Sequence, residues 1–212
     1  MPHRPIKEKS NSKDGPAPWL GYQDAKILNF ESKPDAYDWA DVYLEVEIKT
    51  RNSEYSNKLI ISGSFDKENG SIVENSLLRK MYSLFDALGF GGGIDKEGKW
   101  VNKIDEPIED IATFLNNNYT DNTDTDIYPF CVYVYKHKVT NKNTAEENVY
   151  TRIVPRIARA DNPKAVADFK SYIDWAKKNE VIVEHTEDDL DFLKSALPNG
   201  TTTQSPSINN IG

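Results

Sequence analysis

Two neighbouring stretches decide the fold: residues 41–50, DVYLEVEIKT, and residues 58–65, KLIISGSF. In both, apolar and polar side chains alternate with a period of two, which is typical of strands that have one buried and one solvated face. The polar residues 52–57 between them predict a turn, so the two strands should form an antiparallel hairpin. The apolar positions are Val42, Leu44, Val46, Ile48, Leu59, Ile61 and Phe65.

The flanking sequence adds further strands and several helices. Strands are predicted at residues 25–30, 128–139, 149–159 and 181–184, with an edge or a bulge at Pro155, which cannot donate to a ladder. Helices are predicted from Asn75 or Ser76 to about Leu88, from Pro107, and after Asp161 or Asn162. Helices do not alternate with strands, which disfavours a parallel α/β sheet. The order predicts a mainly β (β+α) fold, an OB-like antiparallel barrel with appended helices.

Composition suggests one folded domain with polar ends. We expect a flexible arm at residues 1–20, an OB-like domain with a C-terminal helix at 21–185, and an acidic helix followed by a disordered polar tail at 186–212. No apolar run approaches the roughly 20 residues of a membrane helix, and no secretory signal is recognisable. Cys131 is the sole cysteine, which suits a reducing cytoplasm and argues against a zinc site. We therefore expect a cytoplasmic protein without a cofactor.

Charge is unevenly distributed along the chain. The whole chain has 26 basic and 34 acidic residues, a formal net charge of −8, which argues against a chromatin-type polycation. Residues 130–160, in contrast, contain six bases and two acids. Because local potential decides where an anion binds, this basic hairpin is the candidate docking region for one.

Aromatic and basic side chains alternate on the strands of this second hairpin. Rings can stack on the bases of a single strand, and cations can pair with its phosphates. Ordinary cross-strand packing explains the same pattern equally well. The predicted nucleic-acid-binding residues are Tyr133, Tyr135, Lys136, Lys138, Tyr150, Arg152, Arg156 and Arg159, with stacking assigned to the tyrosines and phosphate pairing to the bases.

Three other patterns have weaker functional interpretations. Asp35, Glu47 and Lys49 match the PD…ExK spacing of Mg²⁺-dependent nucleases, although a solvated strand face shows the same alternation. The acidic segment 184–193 resembles a motif that recruits replication or recombination proteins, but an amphipathic helix with acids in its first turn explains it too. The glycine run 91–93 lacks a following Lys-Ser/Thr and is interpreted as a loop. No catalytic residue is predicted.

Several of these segments together resemble a bacteriophage family of single-stranded DNA-binding, replication- or recombination-associated proteins with an OB-like core. The similar segments are Val42–Lys49, the turn Ser53–Tyr55, Lys58–Gly63, the helix Leu77–Leu88 ending in Gly89, and the hairpin 132–157 with Tyr150–Ile153. The resemblance covers about residues 22–160. It implies DNA binding on a barrel face, no catalysis and location in the host cytoplasm. This chain differs in placing its acids at 184–191, before a neutral tail.

The sequence therefore predicts a single-stranded DNA-binding protein of phage replication or recombination. Two alternatives stay open: the Mg²⁺-dependent nuclease, and a virion or host-interaction protein that binds no nucleic acid. Single-stranded DNA is the expected partner, no membrane is expected, and assembly with further copies of the chain stays open.

Overall fold

The computed structural model describes residues 20–33, 36–121, 124–140 and 147–183, with the backbone alone for 138–140 and 147–148. The predicted N-terminal arm, apart from Leu20, and the predicted acidic helix and polar tail at 186–212 lie outside the described residues, as does the acidic segment 184–193. Within the described part the fold is mainly antiparallel β-sheet with three helices, as predicted at that level.

The first three strands form the predicted meander. They are β1 (Gly21–Ser32), β2 (Val42–Thr50) and β3 (Ser56–Gly63), paired in sequence order. The apolar side chains of β2 are buried at every second position, which confirms the alternation that predicted this strand. β1 is longer than predicted, and its ladder with β2 shifts register between Ile27 and Asn29. The first residues of β1, Gly21–Ala25, pair along its other edge with β8 of the second hairpin.

The second hairpin completes the sheet. It consists of β8 (Phe130–Thr140) and β9 (Glu147–Ile153), and β10 (Ala158–Arg159) continues the edge after a break that contains Pro155. The strand order is β10-β8-β1-β2-β3, with β9 also paired to β8. Cα atoms of β3 and β9 approach within 8 Å of each other, although no ladder joins these strands among the described residues. The sheet is therefore strongly coiled.

Helix α1 (Ser76–Leu88) fills the main core. Asn75 caps it, accepting a hydrogen bond from the Leu78 N–H at 3.1 Å, and Gly89 ends it in the left-handed region at φ 73°. Both ends agree with the sequence prediction. Along the chain the helix is preceded by a small hairpin, β4 (Asp66–Glu68) with β5 (Ser71–Val73), and followed by another, β6 (Gly93–Ile94) with β7 (Trp100–Val101).

Helix α2 (Ile111–Tyr119) begins four residues later than predicted. Pro107 forms an isolated antiparallel bridge with Val101 and so belongs to extended backbone. The helix is capped instead by Asp110, whose carboxylate accepts hydrogen bonds from the Ala112 and Thr113 N–H groups. A side-chain cap fixes the first turn more directly than a nearby proline does.

Helix α3 (Pro163–Lys178) packs on the opposite face of β8 and builds a second core. Asn162 caps it and Pro163 occupies its first turn, as predicted. The strand predicted at 181–184 is wrong for 181–183, because the N–H groups of Val181 and Ile182 bond back to the Ala176 carbonyl. Ile182 is thereby buried with Phe169 and Ile173 in the second core.

Gly92 shows why the glycine run is present. A Cβ at this position would lie 2.3 Å from the Val101 carbonyl oxygen and 2.4 Å from the Phe90 ring. Glycine at this position thus permits close packing between the segment that follows α1 and Val101 of β7.

We expect Gly92→Ala to lower the free energy of unfolding by about 1–3 kcal/mol, since the added methyl group forces the neighbouring backbone or ring to move. Chemical denaturation measures this loss. Gly91→Ala is the matched control, because its Cβ would meet only the Lys103 side chain, at 3.2 Å or more. Equal stability of wild type and Gly92→Ala would contradict the packing explanation.

Candidate nucleic-acid interface

The second hairpin has the cross-strand pairing that the sequence predicts. Tyr135 lies opposite Arg152, and His137 lies opposite Tyr150, so these four side chains emerge on one face. Val134 pairs with Ile153 on the other face, inside the main core. The assignment of side chains to faces is therefore confirmed.

Helix α3 covers part of the predicted binding face. Tyr133 and Tyr135 are only 4% and 8% exposed, packed with Phe169 and Ile173 in the second core. The Lys177 ammonium lies 4.6 Å from the centre of the Tyr133 ring. The predicted base-stacking role of Tyr133 and Tyr135 is therefore wrong, because their rings already pack against protein.

The Tyr135 hydroxyl marks the rim of the covered region. Burial raises the pKa of this phenol above its usual value, the Arg152 charge opposes that shift, and Tyr172 adds to it. Arg152 lies directly opposite Tyr135 on the neighbouring strand, and Tyr172 packs against the second core that contains Tyr135. The rim thus brings a cation of β9 and an aromatic ring of α3 to the same place.

The other predicted residues divide between two places. Tyr150 is 50% exposed, Arg152 is exposed and Lys136 is half-buried. For Lys138 the structure describes the backbone alone. Arg159 pairs with Phe130 at the opposite end of β8 from His137, seven residues away. At about 3.3 Å per residue, that separation is roughly 23 Å. Arg159 therefore does not belong to the same contact area as Tyr150.

Helix α3 contributes an aromatic stack that the sequence analysis missed. The Arg156 guanidinium lies 3.7 Å from the centre of the Tyr172 ring, and this ring stacks on Trp175 at 5.9 Å and 27°. The Trp175 side chain is 53% exposed. The sequence contained one signal for this stack: Trp175 follows Tyr172 by three residues, and both lie outside the buried apolar stripe of α3. We call Tyr150, Arg152, Arg156, Tyr172 and Trp175 the ribbon–helix surface.

The elements around the ribbon–helix surface are basic in an acidic chain. Residues 130–140 and 147–178 contain nine Lys or Arg and four Asp or Glu, whereas the whole chain has 26 and 34. Local positive potential attracts polyanions regardless of net charge. The ribbon–helix surface therefore combines exposed rings with a local excess of cations.

A second exposed aromatic group lies in the connection between β1 and β2. The Tyr37 ring is 5.5 Å from Trp39 and 5.1 Å from Tyr43, and Trp39 is 57% exposed. Ser64 donates a hydrogen bond to the Trp39 carbonyl, and burial together with Tyr37 raises the pKa of Tyr43. We call these three rings the aromatic loop cluster. Asp38 and Asp41 are interspersed with the rings in sequence, so no cation excess accompanies them.

The outer face of β2 and β3 is electrically balanced. Glu45 bonds to Lys33 and Lys58; burial alone would raise its pKa, but these hydrogen bonds outweigh burial and lower it. Glu47 accepts a hydrogen bond from Ser56 at 2.5 Å. Its neighbour Lys49 is half-buried on the same strand, and Asp35, the first residue of the nuclease pattern, lies outside the described residues. The nuclease interpretation therefore stays a prediction.

Comparisons with other proteins return nothing. No protein-family model matches the chain, no curated protein matches its sequence, and no solved structure matches its fold. Within 20–33, 36–121, 124–140 and 147–183, no helix combines the length and apolar character needed to cross a membrane. The same residues contain no group of three His, Cys, Asp or Glu side chains placed to hold a metal ion.

Proposed function

We propose that the chain binds single-stranded DNA on the ribbon–helix surface of an OB-like fold. The single observation that carries this proposal is the continuous stack of Arg156, Tyr172 and Trp175 on the side of the second hairpin where Arg152 lies opposite Tyr135. Stacking with cations beside the rings is the chemistry that unpaired polynucleotides need, since every base has a π-face and every linkage has a charge. Duplex DNA offers no free base faces to such a surface.

The strand order supports the OB-like part of the proposal. Three meander strands are followed by a helix and then by a hairpin whose first strand pairs with β1, and β9 approaches β3. A coiled sheet of five main strands with a helix between the third and fourth fits the Greek-key barrel of OB folds. Such folds bind oligonucleotides on the face of their second and third strands and on the loops that join strands one to two and four to five. Here the first of these loops carries the aromatic loop cluster and the second joins β8 to β9, so each candidate surface adjoins a binding loop of such folds.

The biological setting in the proposal rests on the sequence resemblance. We assign the protein to phage DNA replication or recombination in the host cytoplasm because residues 42–63, 77–89 and 132–157 resemble that family. Recruitment of replication or recombination proteins through segment 184–193, and assembly with further copies of the chain, stay predictions.

Charge favours the ribbon–helix surface over the aromatic loop cluster as the DNA contact. Arg156 lies over the Tyr172 ring, and Arg152 is exposed on the side of the hairpin that α3 packs on. Lys33 and Lys58 near the loop cluster, in contrast, are already bonded to Glu45. A phosphate would have to displace that carboxylate. The loop cluster is therefore the competing site in the experiments below.

We expect Trp175→Ala to weaken binding of a dT oligonucleotide about tenfold, because stacking contributes about 1–3 kcal/mol per base. Fluorescence anisotropy with a labelled oligonucleotide at fixed salt measures the affinity. Trp39→Ala is the matched control, an exposed Trp of the aromatic loop cluster, and should bind like wild type. Loss of affinity in Trp39→Ala with none in Trp175→Ala would place the DNA on the loop cluster instead.

One incubation distinguishes the nuclease alternative from the proposed DNA binding. Labelled single-stranded and duplex DNA are mixed with the protein and Mg²⁺, and their lengths are followed on a denaturing gel. A binding protein leaves both lengths unchanged. Cleavage that disappears in Glu47→Gln would favour the metal-dependent nuclease and would replace the present proposal.

A further inference from the structure

A cleft of about 450 Å³ lies between α1, the segment around β10 and the first half of α3. It is lined by Arg79 and Asp86 of α1, by Arg156 and Arg159 of the β10 segment, and by Asp168 and Phe169 of α3. Ligand sites for small molecules commonly enclose about 300–1,000 Å³. The cleft is therefore large enough for one nucleotide.

Three arginines line this cleft, Arg79 from α1 and both Arg156 and Arg159 from the segment around β10. Arg79 bonds to Glu74 at 2.7 Å, and Arg159 bonds to Asp161 through Nε and Nη2 at 3.0 and 2.7 Å. Both ion pairs are largely exposed to solvent, where such pairs contribute little to stability. The arginines can therefore exchange these carboxylates for a phosphate, whose oxygens match the guanidinium fork.

The remaining lining residues suit a nucleoside more than a bare anion. Asp86 and Asp168 supply carboxylates that can accept hydrogen bonds from sugar hydroxyls or base N–H groups. Phe169, Ile157 and Ala87 supply an apolar floor for a base. A mixture of cationic, carboxylate and apolar lining is typical of a site that takes a molecule with all three kinds of surface.

We propose that this cleft binds a nucleoside monophosphate unit, with its phosphate at Arg79, Arg156 and Arg159. Arg156 also contacts Tyr172 in the ribbon–helix surface, so the two sites share a side chain. The unit is supplied either as a free mononucleotide or as a nucleotide of a strand that continues from the ribbon–helix surface. The second source rests on the proposed function; the first does not.

The test compares thymidine 5′-monophosphate, thymidine and a dT oligonucleotide as probes of the full chain, by calorimetric titration at fixed salt. We expect the monophosphate to bind and thymidine not to bind. Arg79→Ala should weaken monophosphate binding about tenfold, because it removes a charge-assisted hydrogen bond. Lys80→Ala, the next residue of the same helix and not part of the lining, is the control and should bind as wild type does.

The outcomes separate this inference from the proposed function. Oligonucleotide binding without monophosphate binding, and unaffected by Arg79→Ala, overturns the cleft site alone. Monophosphate binding that depends on Arg79 supports the cleft site. If the oligonucleotide does not bind in the same experiment, the ribbon–helix proposal is overturned. Asp86→Asn provides a second variant: it should alter monophosphate binding without removing a cation, and unchanged binding in both variants rejects the site. Circular dichroism confirms that each variant is folded.

Discussion

The double variant Arg152→Glu/Arg156→Glu should bind a dT oligonucleotide about a hundredfold more weakly than wild type at 0.1 M salt. Each lost phosphate contact removes about 0.7 from the slope of log affinity against log salt, and the new carboxylates repel the same phosphates. The affinity of wild type should fall steeply as salt rises, and that dependence should be shallower in the variant. Anisotropy titrations at several salt concentrations measure both quantities.

The control for this experiment carries the same change of net charge in another place. Lys96→Glu/Lys103→Glu replaces two exposed lysines of the β6–β7 region, outside the ribbon–helix surface. We expect it to lose less than about threefold in affinity, because screening confines charge effects to roughly 10 Å at this salt. Equal losses in the two double variants would mean that overall charge, and no particular surface, governs binding.

Tyr133→Ala should lower the free energy of unfolding by about 3–5 kcal/mol, as large-to-small changes of buried rings do. Tyr133 contacts Tyr22 edge to face at 4.8 Å, and the Lys177 ammonium lies over its ring. The substitution therefore leaves a cavity between β8 and α3 and removes both ring contacts. Denaturant unfolding followed by tryptophan fluorescence measures the loss.

Tyr150→Ala is the comparison for Tyr133, since its ring is exposed on the neighbouring strand. It should change the free energy of unfolding by less than about 0.5 kcal/mol, as exposed substitutions usually do. Its effect should instead appear as weaker oligonucleotide binding. If Tyr133→Ala unfolds like wild type but loses DNA affinity, the ring is accessible in solution and its assignment to the core is wrong.

The sequence predicted the sheet well because strand alternation is a local signal. The period of two in residues 41–50 and 128–139 predicts a strand and also the face on which each side chain lies. The strands and the faces were confirmed in both ranges. Caps are local as well, which explains the correct starts of α1 and α3 at Asn75 and Asn162. The start of α2 was wrong because Pro107 forms a bridge with Val101, six residues earlier, and the helix begins only after its cap at Asp110.

The binding face was harder to predict because alternation does not show what covers a face. Tyr133, Tyr135 and Tyr150 look alike in sequence, yet α3 buries the first two and leaves the third exposed. The apolar stripe of α3 includes Phe169 and Ile173, and a stripe alone does not say which sheet face it packs on. The spacing of three between Tyr172 and Trp175 is a local signal for their stack, but its place beside Arg156 depends on how α3 docks, which no local pattern indicates.

Ultraviolet crosslinking of a dT oligonucleotide, followed by mass spectrometry of the crosslinked peptides, tests the central claim most directly. It reports which residues touch the bases in the wild-type protein, so no substitution can confuse folding with binding. We predict crosslinks at Tyr150, Tyr172 and Trp175. Crosslinks confined to Tyr37, Trp39 and Tyr43, or none above the level of an unrelated acidic protein, would contradict the account.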